Sequence, residues 1–536
     1  MDDPILPEGW FREGTTNDTH AANVGHGDDA ARAAEGGAKP LKPASPQRSA
    51  PGLDRPWPRQ IVAIVVCGLM AVTMIVAWVM LALIGILPAK YFWPIIILDA
   101  LLGTGAAVLL LTTNRVGHKA RYAVSMGLTV VMILANLAVV KVASDYTTVI
   151  EEMAPTGESV QYDLIGLKEG PDDLAAFIGA QVPADATDPL YGQASQKAAE
   201  MVALVIVPVS GQAAVVDSVV KGETKGGLVQ DTYLQILEEA APDTYDKVKI
   251  IASFSVDVTA PTKSPDPTAT PSHGSLAGPD TPFVVYISGI DVAGPIASRA
   301  RSDVNILVVV NPKTGKILLV NTPRDFFVQL HDRPGLKDKL THAGVYGIDV
   351  STRTLEDLFD VDINYYLRAN FTSLVTIVNA LGGVDVYSEY SFTSRHGGYY
   401  FQQGMNHMNG DQALGFSRER YSFASGDRQR GKNQEAVIEA IVDKISSPAL
   451  LARYQQLLNS INGAFQTSMP QDEISAQVKL MLAKNTKWDI TSISVDGTGA
   501  MLPTYTYPGQ NLYVMIPDQA TVDAAKAAID EVLAAT

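Results

Sequence analysis

The sequence predicts a membrane-anchored α/β protein with three N-terminal transmembrane helices, a small α/β accessory domain, and a larger C-terminal α/β domain whose central sheet is flanked by helices. Three observations lead to this prediction. The first third of the 536-residue chain contains three long apolar runs. The remainder alternates short apolar runs of strand type with helical patterns, which favours layered α/β domains. A proline-rich stretch divides that remainder in two.

Composition narrows the class of protein before any motif is considered. The net charge of −16 argues against nucleic acid as a partner. The single cysteine, Cys67, excludes an intramolecular disulfide, which is compatible with an exported bacterial domain. Residues 1–59 are polar, rich in Gly, Ala, Pro and Asp, and have no sustained hydrophobic period. We expect them to form a disordered cytoplasmic tail, because they cannot bury enough apolar surface to offset chain entropy.

Residues 60–143 are predicted to cross the membrane three times. The apolar runs 61–87, 93–113 and 122–140 are each long enough to span the hydrocarbon core. Lys and Arg residues concentrate before the first run and between the second and third, whereas the first loop carries only Lys90. The positive-inside rule therefore predicts a multi-pass cell-membrane protein with a cytoplasmic N-terminus and extracellular C-terminal domains.

One acidic residue interrupts the second apolar run. Asp99 is either a functional intramembrane carboxylate or a polar residue that reaches water or another helix. Its position six residues after Trp93, a residue type that favours the membrane interface, favours the second interpretation.

Residues 144–258 are predicted to form an extracellular accessory domain. The continuous apolar run 201–209 is typical of a strand buried on both faces. Between residues 142 and 282 there are 21 Asp and Glu against seven Lys and Arg. Such an acidic surface would repel an anionic polymer, so we expect no phosphate site in this domain. Helical patterns cover residues 172–179, 194–200 and 230–240.

Residues 259–282 contain six prolines among Thr, Ser, Asp and Gly, the composition of an extended linker that separates two domains. The last domain, 283–536, begins with a strand and a hairpin whose turn, 311–315, ends in a glycine. Its strand patterns are 283–288, 304–311, 316–321 and 487–495. Its helical patterns are 352–359, 372–380, 427–445, 449–461, 471–483 and 521–534.

Charged side chains cluster at the ends of three of these predicted strands. Asp291 follows the first strand, Arg301 and Asp303 precede the second, and Arg324 follows the third. An open sheet commonly places its ligand crevice at strand ends, so we expect these side chains to lie together. Residues 283–450 contain 17 Lys and Arg against 18 Asp and Glu, so an anion site must come from such local clustering.

A second cluster opens the predicted helix 427–445. Arg430 and Gln434 are four residues apart and share one helix face. Arg428 lies in the first turn, beside free N–H groups and the positive end of the helix dipole. Several arginines around one phosphate chain can bond its oxygens in pairs and stabilise charge that develops during phosphoryl transfer. The two strand-end aspartates are the hard oxygen donors that suit Mg²⁺ bound with substrate phosphates.

Each of these features also has an ordinary structural explanation. Arginines on a helix are commonly a solvated face with weak ion pairs. Arg301 and Asp303 could protect an edge strand, and Asp427 could simply cap its helix. Taken singly, the structural explanation is favoured for each residue. Taken together, the residues indicate an anion site, but composition and spacing do not name a reaction.

Short motifs follow one another in a distinctive order through the C-terminal domain. They are SGID at 288–291, RSD at 301–303, TPRD at 322–325, KLTHA at 339–343, INYY at 363–366, ANF at 369–371, LGGVD at 381–385, MNGDQAL at 408–414, RER at 418–420 and GDRQR at 426–430, followed by Gln434. In these motifs the chain resembles the LytR-CpsA-Psr family of bacterial envelope proteins. The three-helix anchor and acidic accessory domain resemble its capsule-linked, CpsA-like branch.

The resemblance implies a phosphotransferase that attaches an anionic glycopolymer, such as capsular polysaccharide or a teichoic acid, to peptidoglycan. The donor would be a polyprenyl-diphosphate-linked glycan at the membrane, and Mg²⁺ would bridge its diphosphate oxygens. A peptidoglycan hydroxyl would attack the sugar-linked phosphorus, and polyprenyl phosphate would leave. By position, the implied catalytic and phosphate-binding residues are Arg301, Arg324, Arg418, Arg420, Asp427, Arg430 and Gln434. Lys339 is a further substrate ligand, and so is Arg428, which is added because of its position in the first turn of the helix. Asp291 and Asp303 are the implied metal ligands.

The family's fold also implies an apolar tunnel for the prenyl chain, and four residues are candidates for its lining. For these residues ordinary core packing is the favoured alternative. They are Phe359, Phe371, Leu374 and Val378.

Two other functions stay open at this point. One is a sensor or transcriptional attenuator that binds prenyl diphosphates without turnover. The other is a polyprenyl diphosphatase that uses water as the acceptor. The acidic pair favours catalysis, because a pure binding protein needs only the arginines. Polymer-assembly proteins are a further candidate partner, and no general base is evident in the sequence.

Overall fold

The computed structural model describes residues 57–113, 119–154, 157–258, 276–290, 296–424, 426–445, 464–484 and 488–536. The predicted tail as far as residue 56, most of the proline-rich linker, Asp291 and the predicted helix 449–461 lie outside the described residues.

Three long apolar helices open the described chain. They are α1 (Trp57–Ile84), α2 (Ala89–Thr113) and α3 (Lys119–Met153). Each is long and apolar enough to cross a membrane. The Asp99 carboxylate accepts hydrogen bonds from the Trp78 indole at 2.8 Å and the Asn136 amide at 3.4 Å. Asp99 thus links three helices, which agrees with the structural interpretation of this residue.

The accessory domain is a five-stranded mixed sheet with helices packed on it. Its elements are β1 (Glu158–Leu167), β2 (Gln181–Asp185), α4 (Tyr191–Met201), β3 (Val205–Val209), α5 (Gln212–Val220), β4 (Gly226–Gln230), α6 (Asp231–Ala240), α7 (Pro242–Tyr245) and β5 (Val248–Val258). The strands lie in the order β3-β2-β4-β1-β5. The predicted helices 194–200 and 230–240 are confirmed, but 172–179 contains only the 3-10 turn Leu174–Phe177.

The prediction for residues 201–209 is wrong in two respects. Met201 ends α4, and the strand begins only at Val205. β3 is an edge strand of the sheet, and Val205 is 51% exposed rather than buried on both faces. An apolar run alone does not distinguish a central strand from an edge strand.

The C-terminal domain is built on a six-stranded mixed sheet. The strands of the whole domain, six of which form this sheet, are β6 (Phe283–Ile290), β7 (Ser302–Asn311), β8 (Lys316–Asn321), β9 (Phe327–Val328), β10 (Asp338–Lys339), β11 (Tyr365–Asn370), β12 (Val384–Ser388), β13 (Phe392–Thr393), β14 (Tyr400–Phe401), β15 (Gly404–Met408), β16 (Phe465–Thr467), β17 (Asp489–Ser494), β18 (Gly497–Pro503) and β19 (Asn511–Pro517). Its helices are α8 (Leu340–Ala343), α9 (Ile348–Phe359), α10 (Phe371–Ala380), α11 (Gly410–Arg418), α12 (Asp427–Ile445), α13 (Gln471–Lys484) and α14 (Gln519–Ala534). The central sheet has the order β16-β11-β6-β7-β8-β17.

The predicted hairpin between β7 and β8 is confirmed. The two strands are antiparallel, with Asn311 paired to Lys316. Gly315 has φ of 71°, a backbone conformation that glycine adopts without strain, and its N–H donates to the Asn311 carbonyl at 3.0 Å. This turn sets the register that brings the far ends of β7 and β8 together.

Alternate side chains of the central strands enter two different cores. Tyr286 and Leu307 pack with Phe359 against α9 and α14. On the opposite face, Ile306 packs with Ile438 of α12. The sheet is therefore covered by helices on both faces, as predicted.

The candidate tunnel residues do not share one surface. Phe359, the last residue of α9, packs in the core formed by the central sheet with α9 and α14. Leu374 and Val378 belong to a different cluster, which includes Val437 of α12.

The accessory domain packs directly against the C-terminal domain, although the proline-rich stretch predicts a separating linker. The Glu158 carboxylate accepts from Arg299 Nε at 2.8 Å and from the Ile348 N–H at 2.9 Å. It also lies 3.5 Å from the guanidinium of Arg368, whose side chain is completely buried. The backbone N–H of Arg299 donates to the Ser159 carbonyl at 2.7 Å. The two domains thus share a buried ionic and backbone interface.

Candidate active site

Two neighbouring strand ends position the first group of predicted residues. Because β7 and β8 are antiparallel, the start of β7 lies beside the end of β8. Arg301 directly precedes β7, Asp303 is its second residue, and Arg324 follows shortly after β8. The Thr322 N–H donates to the Asn305 carbonyl at 2.9 Å, which fixes the chain as it leaves β8. For these three side chains, the expectation that strand ends bring them together is confirmed.

Arg324 is held by carboxylates of its own domain. Its Nη1 donates to Asp303 Oδ2 at 2.6 Å, and its Nε lies 3.5 Å from Asp325 Oδ1. The second Asp303 oxygen accepts from the Thr341 hydroxyl at 3.0 Å. Lys339, which immediately precedes α8, places its ammonium 2.9 Å from Asp325 Oδ1 and is completely buried. The cations and carboxylates therefore hold one another in fixed positions.

A carboxylate from the accessory domain completes this group. Glu239, near the end of α6, places Oε2 3.4 Å from Arg301 Nη1 and 3.2 Å from Arg324 Nη2. Its other oxygen, Oε1, pairs with the Lys339 ammonium. One carboxylate thus contacts three of the cations predicted to bind phosphate. We call Arg301, Arg324 and Lys339 the cationic cluster.

The cationic cluster controls the ionisation of the carboxylates around it. Burial by itself would raise the pKa of Asp303, but the guanidinium groups of Arg324, Arg301 and Arg430 outweigh it and hold that pKa well below its usual range. Burial likewise opposes ionisation of Glu239, but Lys339 and Arg324 keep its pKa below the usual value. Both carboxyl groups are therefore anionic at neutral pH, and the cations around them stabilise negative charge in the site.

Arg430 and Gln434 lie on the same side of α12, as predicted, and face this group. Together with Asp303 and Arg324 they line a cavity of about 530 Å³. Arg430 is 9% exposed, and the Gln434 amide donates to the Ser417 carbonyl at 3.4 Å. The cavity therefore joins the strand ends to the first turns of α12.

Arg428 lies at the edge of the same cavity but is directed elsewhere. Its Nη2 lies 2.7 Å from Asp496 Oδ1 and donates to the Gly497 carbonyl at 2.9 Å. Its side chain is 51% exposed. The helix geometry that suggested Arg428 as a phosphate ligand is present, but this side chain forms a surface ion pair.

The structure does not bring Arg418 and Arg420 into the cationic cluster. Arg418 ends α11 with its guanidinium 4.1 Å from the ring centroid of Phe371. Arg420 lies over the Tyr421 ring and donates to the Tyr421 hydroxyl at 2.7 Å. Over the described residues, neither arginine lines the cavity. Asp427 begins α12 as predicted, but its side chain, like the whole of Asp291, lies outside the described part of the chain.

Comparison with known proteins assigns this domain to a family. The model of the LytR_cpsA_psr family matches residues 250–529. The chain belongs to the LytR-CpsA-Psr family. It is 32% identical over 243 residues to the polyisoprenyl-teichoic acid–peptidoglycan teichoic acid transferase TagU of Bacillus mycoides, covering 45% of this chain and 76% of that protein. It is also 32% identical over 229 residues to TagU of Enterococcus faecalis, covering 42% of this chain and 74% of that protein.

A solved structure gives a further comparison. The crystal structure of B. subtilis TagV is 26% identical and is matched over 48% of this chain and 99% of that chain, with a TM-score of 0.41.

Several residues of this LytR-CpsA-Psr site were not singled out from the sequence. Asp325 and Thr341 lie inside the quoted TPRD and KLTHA motifs, so a signal for them was present. Glu435, on α12, also lines the cavity, and it accepts from the Ser494 hydroxyl at 2.9 Å. Burial raises the pKa of Glu435 to about 7. Glu239 had no sequence signal, because its role depends on how two domains dock.

Proposed function

We propose that this LytR-CpsA-Psr protein is a Mg²⁺-assisted phosphotransferase that attaches a polyprenyl-diphosphate-linked anionic glycopolymer to peptidoglycan. The relatives named TagU are teichoic acid transferases to peptidoglycan, which supports this reaction class. The observation that carries the proposal is the buried cationic cluster, which pairs with the Asp303 carboxylate and reaches a cavity through Arg324. Such a site suits a doubly charged phosphate chain that carries a bulky substituent.

The cationic cluster would bind the donor diphosphate. The side chains of Arg301 and Arg324 are 9% and 8% exposed and that of Lys339 is completely buried, so their attraction for phosphate is weakly screened by water. Arginine forks bond two phosphate oxygens at once, and the Asp303 pair holds the Arg324 fork in place before substrate arrives. As the hydroxyl attacks the sugar-linked phosphorus, the bridging P–O bond breaks and charge grows on polyprenyl phosphate. The preplaced cations stabilise that charge.

The site also fits a magnesium ion bound together with the substrate. Asp303 keeps lone pairs on both oxygens after accepting from Arg324 and Thr341, and carboxylate oxygen is the ligand that Mg²⁺ prefers. Among the residues that the structure describes, no group of three His, Cys, Asp or Glu side chains forms a metal site by itself. Mg²⁺ held by Asp303, with Asp291 as the second proposed ligand and phosphate oxygens completing the shell, is consistent with that finding. Bound there, the ion would neutralise diphosphate charge.

The anchor gives the proposed reaction its location. Three helices hold the domain at the membrane, where a prenyl-linked donor is embedded. The distribution of Lys and Arg supports an N-terminus in the cytoplasm and a catalytic domain outside, next to peptidoglycan. Polymer-assembly proteins would meet the protein at the same membrane.

Donor turnover by the detergent-solubilised full-length protein tests the proposal. We expect release of polyprenyl phosphate that requires Mg²⁺ and falls about 10²-fold or more in Arg324→Ala, because a preplaced donor to the developing charge is removed. The matched control is Arg353→Ala, since Arg353 forms an exposed ion pair with Asp349 on α9. Tight donor binding without turnover, even with peptidoglycan present, would favour the sensor. Turnover to free glycan phosphate regardless of acceptor would favour the diphosphatase.

A further inference from the structure

The position of Glu239 is the feature of this site that the proposed reaction does not explain. Its two oxygens divide between the three members of the cationic cluster, with Oε2 within 3.4 Å of both arginines and Oε1 paired to Lys339. A phosphate group bound by the same cluster would place its oxygens in the same way. Carboxylate and phosphate therefore have overlapping positions.

We propose that Glu239 occupies the position of a donor phosphate in the ligand-free protein and is displaced when the donor binds. The accessory domain thereby sets the affinity of the catalytic domain for diphosphates. This inference rests on the proposed function, because it takes the cationic cluster as the diphosphate site.

Electrostatics explains why an anion is stable at this position. Two guanidinium groups and one ammonium lie within one buried cluster, and a buried charge without a partner is strongly unfavourable. Asp303 and Asp325 offset part of this charge, but both belong to the C-terminal domain and are held by bonds within it. Glu239 supplies a third negative charge from the other domain. A diphosphate carries more charge than a carboxylate, so it can take this place without leaving the cations unpaired.

The burial of each partner indicates which one moves. The side chain of Glu239 is 28% exposed, whereas those of Arg301, Arg324 and Lys339 are 9%, 8% and 0% exposed. Glu239 also lies one residue before the end of α6, where a helix frays most readily. Water and ligand therefore reach the carboxylate before they reach the cations, and the cluster can stay in place while Glu239 leaves.

The docking of the two domains does not depend on Glu239 alone. Glu158 forms a separate set of contacts with Arg299, Arg368 and the backbone of Ile348. The neutral substitution Glu239→Gln is therefore expected to vacate the anion position without separating the domains.

The test is the affinity of the full-length protein in detergent for geranyl diphosphate with Mg²⁺, measured by calorimetry for wild type, Glu239→Gln, Glu238→Gln and Arg324→Ala. If Glu239 leaves the site open about a tenth of the time, removing its charge tightens the apparent Kd about tenfold. Glu238→Gln makes the same charge change at an exposed neighbour on α6 and is expected to leave the Kd unchanged. Arg324→Ala is expected to weaken binding.

The variants separate the inference from the proposed function. An unchanged or weaker Kd in Glu239→Gln, with Arg324→Ala impaired, would overturn the inference and leave the diphosphate site intact. A Kd unaffected by Arg324→Ala, or no binding to wild type, would overturn the proposed function and the inference with it. Should Glu239→Gln fail to fold, Glu239→Asp retains the charge on a shorter side chain. It is expected to bind more tightly than wild type, and an equal or weaker Kd would count against competition.

Discussion

Replacing Asp303 by Asn removes the charge that holds the centre of the site together. The carboxylate lies 2.6 Å from Arg324 Nη1, and the two side chains are 11% and 8% exposed. Removing one partner of a buried ion pair costs about 3–5 kcal/mol, because the other charge is left without compensation. Glu239 still contacts the same guanidinium, so we expect the lower end of this range. A loss of about 3 kcal/mol lowers the melting temperature by roughly 6–12 °C in a domain of this size.

The stability that Asp303 contributes depends on pH in a definite direction. The pKa of Asp303 is depressed on folding, so its contribution is present above its unfolded pKa, near the ordinary value of 3.8, and is lost as pH falls toward the folded value. The difference in melting temperature between wild type and Asp303→Asn should therefore be constant from pH 7 to about 5 and narrow below about 4.

Thermal unfolding of the solubilised full-length protein from pH 7 to pH 3 measures both effects. Asp217→Asn is the matched control, because Asp217 is 63% exposed and pairs with an exposed lysine, an interaction worth about 0–1 kcal/mol. An Asp303→Asn protein as stable as wild type at pH 7 would refute the reasoning. So would a difference that stays constant through pH 3.

Three further predictions concern neighbouring groups. Arg324→Lys keeps the charge but loses the planar fork, so donor turnover should fall about 10²-fold, with Arg353→Lys unchanged as the control. Burial raises the pKa of Glu435 to about 7, so this carboxyl should destabilise wild type progressively as pH rises from about 4.5 to about 7. The fall in melting temperature across that interval should therefore be smaller in Glu435→Gln than in wild type. Glu158→Gln leaves the completely buried Arg368 beside a neutral amide. The substitution should therefore lower the melting temperature by an amount similar to that of Asp303→Asn. An unchanged melting temperature would show that this interdomain pair is not stabilising.

The strands that form the site could be predicted because their cause is local. The apolar runs of β7 and β8 are joined by a turn whose glycine adopts positive φ, so the hairpin and its register follow from the sequence. Once the register is known, the meeting of Arg301, Asp303 and Arg324 at one edge follows as well. The shared face of Arg430 and Gln434 depends only on helical spacing.

The features of the fold and the site that the sequence does not predict depend on contacts between distant segments of the chain. The apolar run around Val205 predicts a fully buried strand, but only the sheet order shows that this strand lies at an edge. The acidic composition of the accessory domain argued against a role in the anion site, yet one of its carboxylates, Glu239, is inserted there. Composition describes an average surface, whereas a single docked side chain can oppose it. For the same reason, the motif order did not show that Arg418 would stack on Phe371.

The proposed function requires that a glycan phosphate be transferred to peptidoglycan at the cationic cluster. The most direct measurement incubates the full-length protein and Mg²⁺ with peptidoglycan and a polyprenyl-diphosphate glycan carrying label in the sugar-linked phosphate. We expect label in a phosphodiester to a peptidoglycan sugar, with one polyprenyl phosphate released for each phosphodiester formed and neither product in Arg324→Ala. Release of polyprenyl phosphate while the label remains in soluble glycan phosphate would contradict the proposed function.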